Sequence, residues 1–209
     1  MARTSNSKCD RCRRQGEKLF LKGERCYSPK CAFTRRNFAP GQHGATSRNR
    51  LSEYGQQLNE KQKARQTYDV HEKQFRSYFE KAVQSSGVTG EELIKSLETR
   101  LDNVVFRMQV TKSRRAARQL VRHGHVRVNG QSVDLPSFQV SKGDEVSLNE
   151  KAHKLTAIEE NKKEIQEKLV PAWFDLDTKN LTAKVLEMPS ARDASSEIGL
   201  QQIVEFYSR

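Results

Sequence analysis

Four cysteines within the first 31 residues are the feature that most constrains how this chain folds. They occur as Cys9-x2-Cys12-x13-Cys26-x4-Cys31. Two close pairs separated by a loop are typical of a metal site, and four thiolates match a tetrahedral structural ion. Residues 1–50 show no helical repeat of apolar residues and cannot bury much of a core, so we expect a metal ion to hold this segment together.

Zinc is the favoured ion, and an iron–sulfur cluster is the less favoured occupant, because it also takes four thiolates. Two disulfides or four unliganded thiols are the remaining alternatives. We expect a cytoplasmic chain, since Met1 to Lys8 contain no apolar stretch of a secretory signal, and disulfides are rare in that compartment. A catalytic zinc is disfavoured because catalytic sites keep one ligand position open.

The charge of the chain is strongly positive and unevenly distributed. Lys and Arg number 38 against 26 Asp and Glu, a formal net charge of +12. Residues 1–50 hold 13 basic and 3 acidic residues, and residues 101–150 hold 8 and 5, so these stretches carry +10 and +3. This pattern predicts two surfaces that contact a polyanion. No apolar run approaches the ~20 residues of a spanning helix, which excludes a membrane protein.

Residues 51–98 have the pattern of a helical domain. Ser52 is a candidate N-cap, and a second helix is predicted over residues 69–84. Thr89 and Glu92 have the spacing of a capping box, and the helix that they open is predicted to present one apolar face as far as Met108.

A shorter helix capped by Thr111 and a small sheet are predicted to follow. Val126 and Val128 alternate with polar residues, Asn129-Gly130 is a strong hairpin signal, and Val146 and Leu148 continue the alternation. A charged helix over residues 151–170 is ended by Pro171. The apolar residues beyond it, Trp173 among them, predict a tail that packs.

The predicted fold class is α+β. It comprises a metal-stapled basic arm (1–50), a helical domain (51–98), an inserted module of two helices packed on a small twisted sheet (99–150), and a C-terminal segment that packs back on the helical domain (151–209).

The short helix carries an unusual density of positive charge. Arg114, Arg118 and Arg122 are four residues apart and share a face opposite the Ala and Leu side chains. The repulsion between like charges this close is relieved when they contact a phosphate backbone. We therefore expect Arg118→Glu to weaken RNA binding and to leave the fold intact.

The sequence of this region resembles a known RNA-binding module. Thr99–Met108, Lys112–His125 and Val128–Gly130 are similar to the alpha-L RNA-binding motif. The similarity extends over essentially the whole chain and indicates the S-four family of bacterial small-subunit ribosomal proteins, in its four-cysteine form. The further matching segments are Pro40–Gly44, Leu51–Gly55, Glu60–Lys63, Glu72–Arg76 and Ile203–Ser208.

This resemblance implies a structural constituent of the ribosome rather than an enzyme. Members bind 16S ribosomal RNA at a multi-helix junction of its 5′ domain, nucleate assembly of the body of the small subunit and contribute to translational accuracy. Their neighbours are ribosomal proteins S-five and S-three, and mRNA where it enters the subunit. No membrane and no small-molecule substrate are expected.

The resemblance and the charge pattern together give the candidate site residues. The metal ligands are Cys9, Cys12, Cys26 and Cys31, and no catalytic residue is expected. The basic run after Gly44 is interrupted here, which makes a direct mRNA contact at that position less secure. The candidate RNA contacts are Arg35, Arg36, Gln42, His43, Arg48, Arg50, Tyr54, Lys61, Lys63, Arg76, Lys112, Ser113, Arg114, Arg115, Arg118, Arg122 and His123.

Two other functions compete with this interpretation. The alpha-L module also occurs in RNA-modifying enzymes, where it targets a catalytic domain. The 59 residues after position 150 are few for such a domain and contain no nucleophile–base pair, glycine-rich phosphate loop or metal dyad. A zinc-dependent DNA-binding regulator is the other alternative, but the cysteines lack the Cys/His pattern of a zinc finger.

Overall fold

The computed structural model describes residues 7–46, 51–165, 170–194 and 198–209. Helices and one antiparallel sheet make an α+β fold. The helices are α1 (Lys8–Gln15), α2 (Glu24–Tyr27), α3 (Ala32–Arg35), α4 (Glu53–Thr67), α5 (Glu72–Gln84), α6 (Thr89–Glu98), α7 (Leu101–Arg107), α8 (Arg114–Arg122), α9 (Glu150–His153), α10 (Thr156–Lys163) and α11 (Leu200–Tyr207). The strands are β1 (Val126–Val128), β2 (Gln131–Ser132), β3 (Glu145–Leu148), β4 (Phe174–Asp177) and β5 (Thr182–Val185).

The chain divides into two compact units. One unit lies within Met1–Glu72 and Ser195–Arg209, and the other within Lys73–Ala194. The domain boundaries drawn from the sequence remain predictions. None of the helices in the described ranges combines the length and the apolar character needed to cross a bilayer.

In the first unit, helix α11 packs on helix α4. Ser52 caps α4 as predicted, because its hydroxyl accepts a hydrogen bond from the N–H of Gly55 (3.2 Å). The buried face of α4 is largely polar, and Gln57 Nε2 donates to Glu205 Oε2 of α11 (3.0 Å). Apolar periodicity could not reveal this face, since polar side chains form it.

The cysteine-containing segment holds short helices that the sequence analysis did not predict. Cys12, Leu19 and Leu21 are buried together, and Phe33 packs against them. Helices of four to eight residues are too short to show the repeat that identifies a longer helix. The core of this segment consists of three apolar side chains and one cysteine. It is small, as the composition of the segment predicted.

The second unit has its core between helices and sheet. The strand order is β2-β1-β3-β5-β4, and all neighbouring pairs are antiparallel. One apolar cluster joins Val104 of α7 and Val121 of α8 to Val146 of β3 and Trp173. The prediction that Trp173 belongs to the core is confirmed, since it is 3% exposed.

Strands β4 and β5 extend the sheet beyond the predicted module. Val146 of β3 pairs with Ala183 of β5, and Leu176 of β4 pairs with the same alanine from the other side. From the sequence, the residues of β4 and β5 were expected to belong to a C-terminal segment that packs on the helical domain. Their alternation is too short to distinguish a strand from a loop with apolar anchors.

The single helix predicted from Thr89 to Met108 is two helices. Between them, Thr99 and Leu101 form backbone hydrogen bonds with a distant segment. The Val140 N–H donates to Thr99 O (2.9 Å), and the Leu101 N–H donates to Phe138 O (2.8 Å). Arg100 between them is extended, with φ −62° and ψ 135°. A long-range pairing of this kind overrides a continuous apolar periodicity.

Two predicted helix caps differ from those in the structure. Val88 precedes α6 without a side-chain cap, and Glu92 pairs with Lys95 (3.2 Å) instead of closing a capping box. Ser113 rather than Thr111 caps α8, accepting from the Ala116 N–H at 3.3 Å. The charged segment 151–170 also divides, with α9 and α10 separated at Leu155 and residues 166–169 outside the described ranges.

Candidate nucleic-acid interface

Helix α8 is held against α7 by a small apolar face. Ala117, Leu120 and Val121 are buried, and α7 and α8 pack on one another. The alanine lets the helices approach closely, while Ser113 satisfies an N–H at the helix start. The basic side chains of α8 therefore emerge at the edges of a fixed helix pair.

Arg118 belongs to a buried ion network on the α7 side. Its Nε donates to Asp102 Oδ2 at 2.8 Å, and the same oxygen accepts from Arg100 Nη2 at 2.8 Å. Arg100 also donates from Nη1 to Tyr78 Oη at 2.6 Å. Burial alone would lower the pKa of Arg100, but Asp102 and Tyr78 raise it overall. This pairing gives Arg118 a structural role beside its predicted one as an RNA contact, and it argues against the expectation that its loss leaves the fold intact.

Arg114 is anchored in the same way. Its Nε donates to Asn103 Oδ1 at 2.8 Å, and its guanidinium lies 4.4 Å from the centroid of the Phe106 ring. Asn103 in turn donates to Glu98 Oε2 at 2.6 Å, and Glu98 pairs with Arg107 at 2.8 Å. Arg114 and Arg118 therefore fix α8 on α7, and each side chain is only partly exposed.

Other basic residues at this end of the unit are more exposed. Arg115, Arg122 and His123 are exposed, and the Arg122 guanidinium lies 3.8 Å from the carboxylate of the exposed Asp134. Such an exposed pair contributes little to stability and leaves the guanidinium accessible. Lys112 is partly exposed and pairs with Glu164.

Arg127 is an exposed cation that the candidate set missed. It lies on β1 between the buried Val126 and Val128, opposite Ser147 of β3. The alternation of the strand placed it on the outer face, and this signal was available in the sequence.

In the first unit, the predicted RNA contacts of the arm lie at the end of α3 and in the turn that follows it. Arg35, Arg36, Gln42 and His43 are exposed. The Gly44 N–H donates to Gly41 O at 3.2 Å, and a side chain at Gly44 would collide with the carbonyl oxygen of Ala39. Arg48 and Arg50 lie outside the described residues.

Two predicted lysine contacts are buried instead. Lys61 is 4% exposed, pairs with Glu72 Oε1 at 2.7 Å and lies 4.8 Å from the Phe206 ring centroid. Lys63 is 7% exposed and pairs with Glu17 Oε1 at 2.7 Å. Carboxylates inside the unit satisfy both charges, which argues against the predicted RNA contacts of these two lysines.

The other two candidates between these regions are exposed. Tyr54 is 51% exposed, with its ring 5.7 Å from that of Phe206. Arg76, in the second unit, is exposed and pairs with Glu80 at 3.0 Å within α5. Both remain predictions as RNA contacts.

The four cysteines converge on one place. Cys9 and Cys12 lie on α1, Cys26 on α2 and Cys31 immediately before α3. All four are free thiols, and all four line one small cavity of about 20 Å³, which is room for a single ion or water molecule. Within residues 7–46, 51–165, 170–194 and 198–209, no group of three Cys, His, Asp or Glu side chains is spaced to hold a metal ion. The residue types are those of a tetrathiolate site, but the thiols as they lie in the structure are not spaced for ligation and would have to move closer together.

Two of these thiols have altered acidity. Burial raises the pKa of Cys12. Burial alone would also raise the pKa of Cys31, but the N–H groups of Thr34 and Phe33 at the start of α3 and the charge of Lys18 lower it overall. The pKa values of these two thiols are therefore shifted in opposite directions, downward for Cys31 and upward for Cys12.

Comparison with known proteins accounts for the whole chain. A family model described as the ribosomal protein S4/S9 N-terminal domain matches residues 3–98, and the S4 domain matches residues 99–146. Small ribosomal subunit proteins uS4 of Acidobacterium capsulatum and Acetivibrio thermocellus are 49% and 50% identical over 209 residues, which cover all of both chains. The chain belongs to the uS4 family. The uS4 protein of Thermus thermophilus is 48% identical over the same length.

The S4 domain match contains three exposed arginines of the second unit. Residues 99–146 contain α7, α8, β1 and β2 and the start of β3. Arg115, Arg122 and Arg127 all lie within it. The strands β4 and β5 lie beyond the S4 domain of this uS4 family member, although they complete its sheet.

Proposed function

We propose that this chain is a structural, non-enzymatic protein of the small ribosomal subunit that binds ribosomal RNA. The observation that carries the proposal is full-length identity of about half to uS4 proteins. The exposed cations of the S4 domain support it. Arg115, Arg122 and Arg127 are accessible on a helix and a strand that are fixed by a common core.

The physics of the surface suits folded RNA. Duplex RNA is recognised mainly through its shape and its phosphates, so fixed cations contribute more than readers of base edges. The network of Arg100, Asp102 and Arg118 holds α8 in place before RNA arrives. Binding therefore needs little ordering of this helix, which lowers the entropic cost of association.

Binding of the full-length protein to small-subunit ribosomal RNA tests this function. The expected result is an affinity that falls steeply with salt and that duplex DNA does not abolish in competition. Stable co-sedimentation with small subunits in moderate salt is the second readout. A preference for duplex DNA, or turnover of a nucleoside in RNA by the isolated chain, would instead support the regulator or the modifying enzyme.

We further propose the specific place of the chain in the subunit. It binds 16S RNA at the junction in the 5′ domain, nucleates assembly of the body, and supports translational accuracy beside ribosomal proteins S-five and S-three. Arg35, Arg36, Gln42 and His43 contact RNA on the arm, and mRNA passes close to the first unit where it enters the subunit. Protein–RNA crosslinks mapped to the nucleotide in assembled subunits test this placement, and crosslinks confined to another domain of 16S RNA would contradict it.

For the cysteines, we propose one structural zinc ion, held by Cys9, Cys12, Cys26 and Cys31. Support comes from the common cavity and from the small size of the adjacent core, Cys12, Leu19 and Leu21. When bound, the ion cross-links three short helices that bury few apolar side chains.

Elemental analysis of protein purified without air tests the metal. One zinc per chain without visible absorption is expected, whereas an iron–sulfur cluster absorbs visible light. Cys12→Ser should lower the metal content and loosen the first unit, and Asn37→Ala, at an exposed position of the same segment, should not. Undiminished metal in Cys12→Ser would contradict the four-thiolate site.

A further inference from the structure

We propose that Phe20 and Tyr27 form a stacking platform for one unpaired RNA base, beside a basic cavity that takes the neighbouring phosphate. The inference rests on the proposed function, because it names a part of the RNA that the first unit recognises. It adds a nucleotide-binding site to a surface whose role has so far been argued from charge alone.

The two rings are stacked on each other and face solvent. Their centroids are 5.0 Å apart and their planes differ by 29°. Phe20 is 42% exposed and Tyr27 is 76% exposed. Aromatic side chains are normally buried or half-buried, so a stacked pair with this exposure is an unused apolar surface.

Phe20 has a strained backbone conformation that places its side chain on the surface. Its φ is +50°, in the left-handed region that bulky residues avoid. Leu19 and Leu21 on either side are both buried, at 5% and 8% exposure. The left-handed residue lets both leucines enter the small core while the phenylalanine between them joins Tyr27. Strain that exposes a large aromatic side chain points to a role outside the fold.

A basic cavity is lined by residues that flank Tyr27 in the sequence. It is open, has a volume of about 570 Å³ and is lined by Arg25, Ser28, Lys30, Arg35 and one acidic residue, Glu24. Three cations against one carboxylate favour an anion. The Ser28 hydroxyl donates to Arg25 O at 3.2 Å and accepts from the Lys30 N–H at 3.3 Å, which fixes the turn that carries two of these cations.

The combination of rings and cations identifies the ligand class. A nucleotide presents a flat base and a phosphate within one unit, and aromatic side chains with adjacent cations are how proteins bind unpaired nucleotides. The net charge of +10 over residues 1–50 favours a polyanion over an apolar protein surface. Duplex RNA keeps its bases stacked, so the occupant is a bulged or single-stranded nucleotide.

Affinity of the full-length protein for small-subunit ribosomal RNA, measured across a salt series, tests the platform. Tyr27→Leu and Phe20→Leu should each weaken binding about tenfold, with the slope of log affinity against log salt unchanged, because a stacked base releases no counterions. Tyr27→Phe should bind as the wild type does. Arg25→Ala and Lys30→Ala should instead reduce the slope, by about 0.7 to 0.9 each.

Leu135→Ala, which alters an apolar side chain of 51% exposure in the other unit, is the matched control and should not change affinity. Thermal unfolding and metal content of each variant verify the fold. Ultraviolet crosslinking that joins Tyr27 or Phe20 to an RNA base would support the platform directly. Wild-type affinity of both leucine variants would overturn it, as would a loss that appears only when a neighbouring ribosomal protein is present. Failure of the wild-type protein to bind this RNA would instead overturn the proposed function.

Discussion

Asp102 and Arg118 form a short ion pair whose carboxylate is almost completely buried. Asp102 Oδ2 lies 2.8 Å from Arg118 Nη2, with the Asp102 side chain 3% exposed and the Arg118 side chain 22% exposed. The same carboxylate holds Arg100, whose side chain is 2% exposed. One acidic residue of α7 therefore pairs with two arginines, one inside the core and one at the edge of α8.

Arg118→Glu is expected to destabilise the protein. The substitution removes one partner of a buried pair and brings a second carboxylate toward Asp102. The expected loss is about 3 kcal/mol of unfolding free energy, the lower end of the range for breaking buried pairs, because Arg118 retains some solvent contact. Urea unfolding measured by circular dichroism gives the value. Its matched control is Arg122→Glu, four residues along the same helix and 50% exposed.

Arg122→Glu should weaken RNA binding without a change of fold. Its unfolding free energy should stay within about 0.5 kcal/mol of the wild type, as for other exposed substitutions. The slope of log affinity against log salt should fall by at least ~0.7, because a phosphate contact is lost. Lys81→Ala, an exposed lysine of α5, should change neither quantity. Wild-type stability of Arg118→Glu combined with weak RNA binding would restore the prediction made from the sequence.

The comparison of Arg118 with Arg122 shows what a helical spacing predicts. Spacing alone places the two arginines on one face and gives both the same role. It contains no information about which of them meets the acidic residue of a neighbouring helix. Asp102 is 16 residues away from Arg118 in sequence, so only the packing of α7 on α8 distinguishes a structural arginine from an accessible one.

Lys61→Ala is expected to act on stability and not on RNA binding. Lys61 pairs with Glu72 and lies over the Phe206 ring. Its loss therefore removes a charge-assisted hydrogen bond between α4 and α5 and a cation–π contact between α4 and α11. The expected cost is about 2 kcal/mol. Thermal unfolding and the salt slope of RNA binding are the two measurements. A reduced slope with unchanged stability would show that Lys61 contacts phosphate after all.

Gly44→Ala is expected to disturb the turn that carries Gln42 and His43. The added methyl group meets the Ala39 carbonyl oxygen, a backbone atom that cannot move alone. The turn is exposed, so the unfolding free energy should change by less than ~1 kcal/mol, while affinity for RNA should fall about fivefold. Ala45→Ser, one residue along and also exposed, is the control. Faster proteolysis of the turn in Gly44→Ala, measured against that control, reports the rearrangement.

Much of the fold was predictable because local signals agree with tertiary structure there. The cap at Ser52, the alternation of Val126 with Val128 and the burial of Trp173 follow from spacing and from the chemistry of single residues. The break at Arg100 and the addition of strand β5 to the sheet do not, since each depends on a backbone partner far along the chain. The burial of Lys61 has the same origin: its partner Glu72 lies on another helix.

The pH dependence of stability should change when Glu72 is replaced by Gln. Burial alone would raise the pKa of Glu72, but the ammonium of Lys61, the Tyr207 hydroxyl and Arg65 lower it overall. A carboxyl whose pKa is lower in the folded than in the unfolded state stabilises fully above the ordinary glutamate value, about 4.3, and loses that contribution as pH falls through the folded value. The difference in unfolding free energy between wild type and Glu72→Gln should therefore be constant above pH ~5 and shrink below ~4. Urea unfolding at a series of pH values measures it.

In a Lys61→Ala background the same substitution should have a smaller and less pH-dependent effect, because the main stabilising charge is gone. An undiminished effect in that background would show that Lys61 is not the principal partner.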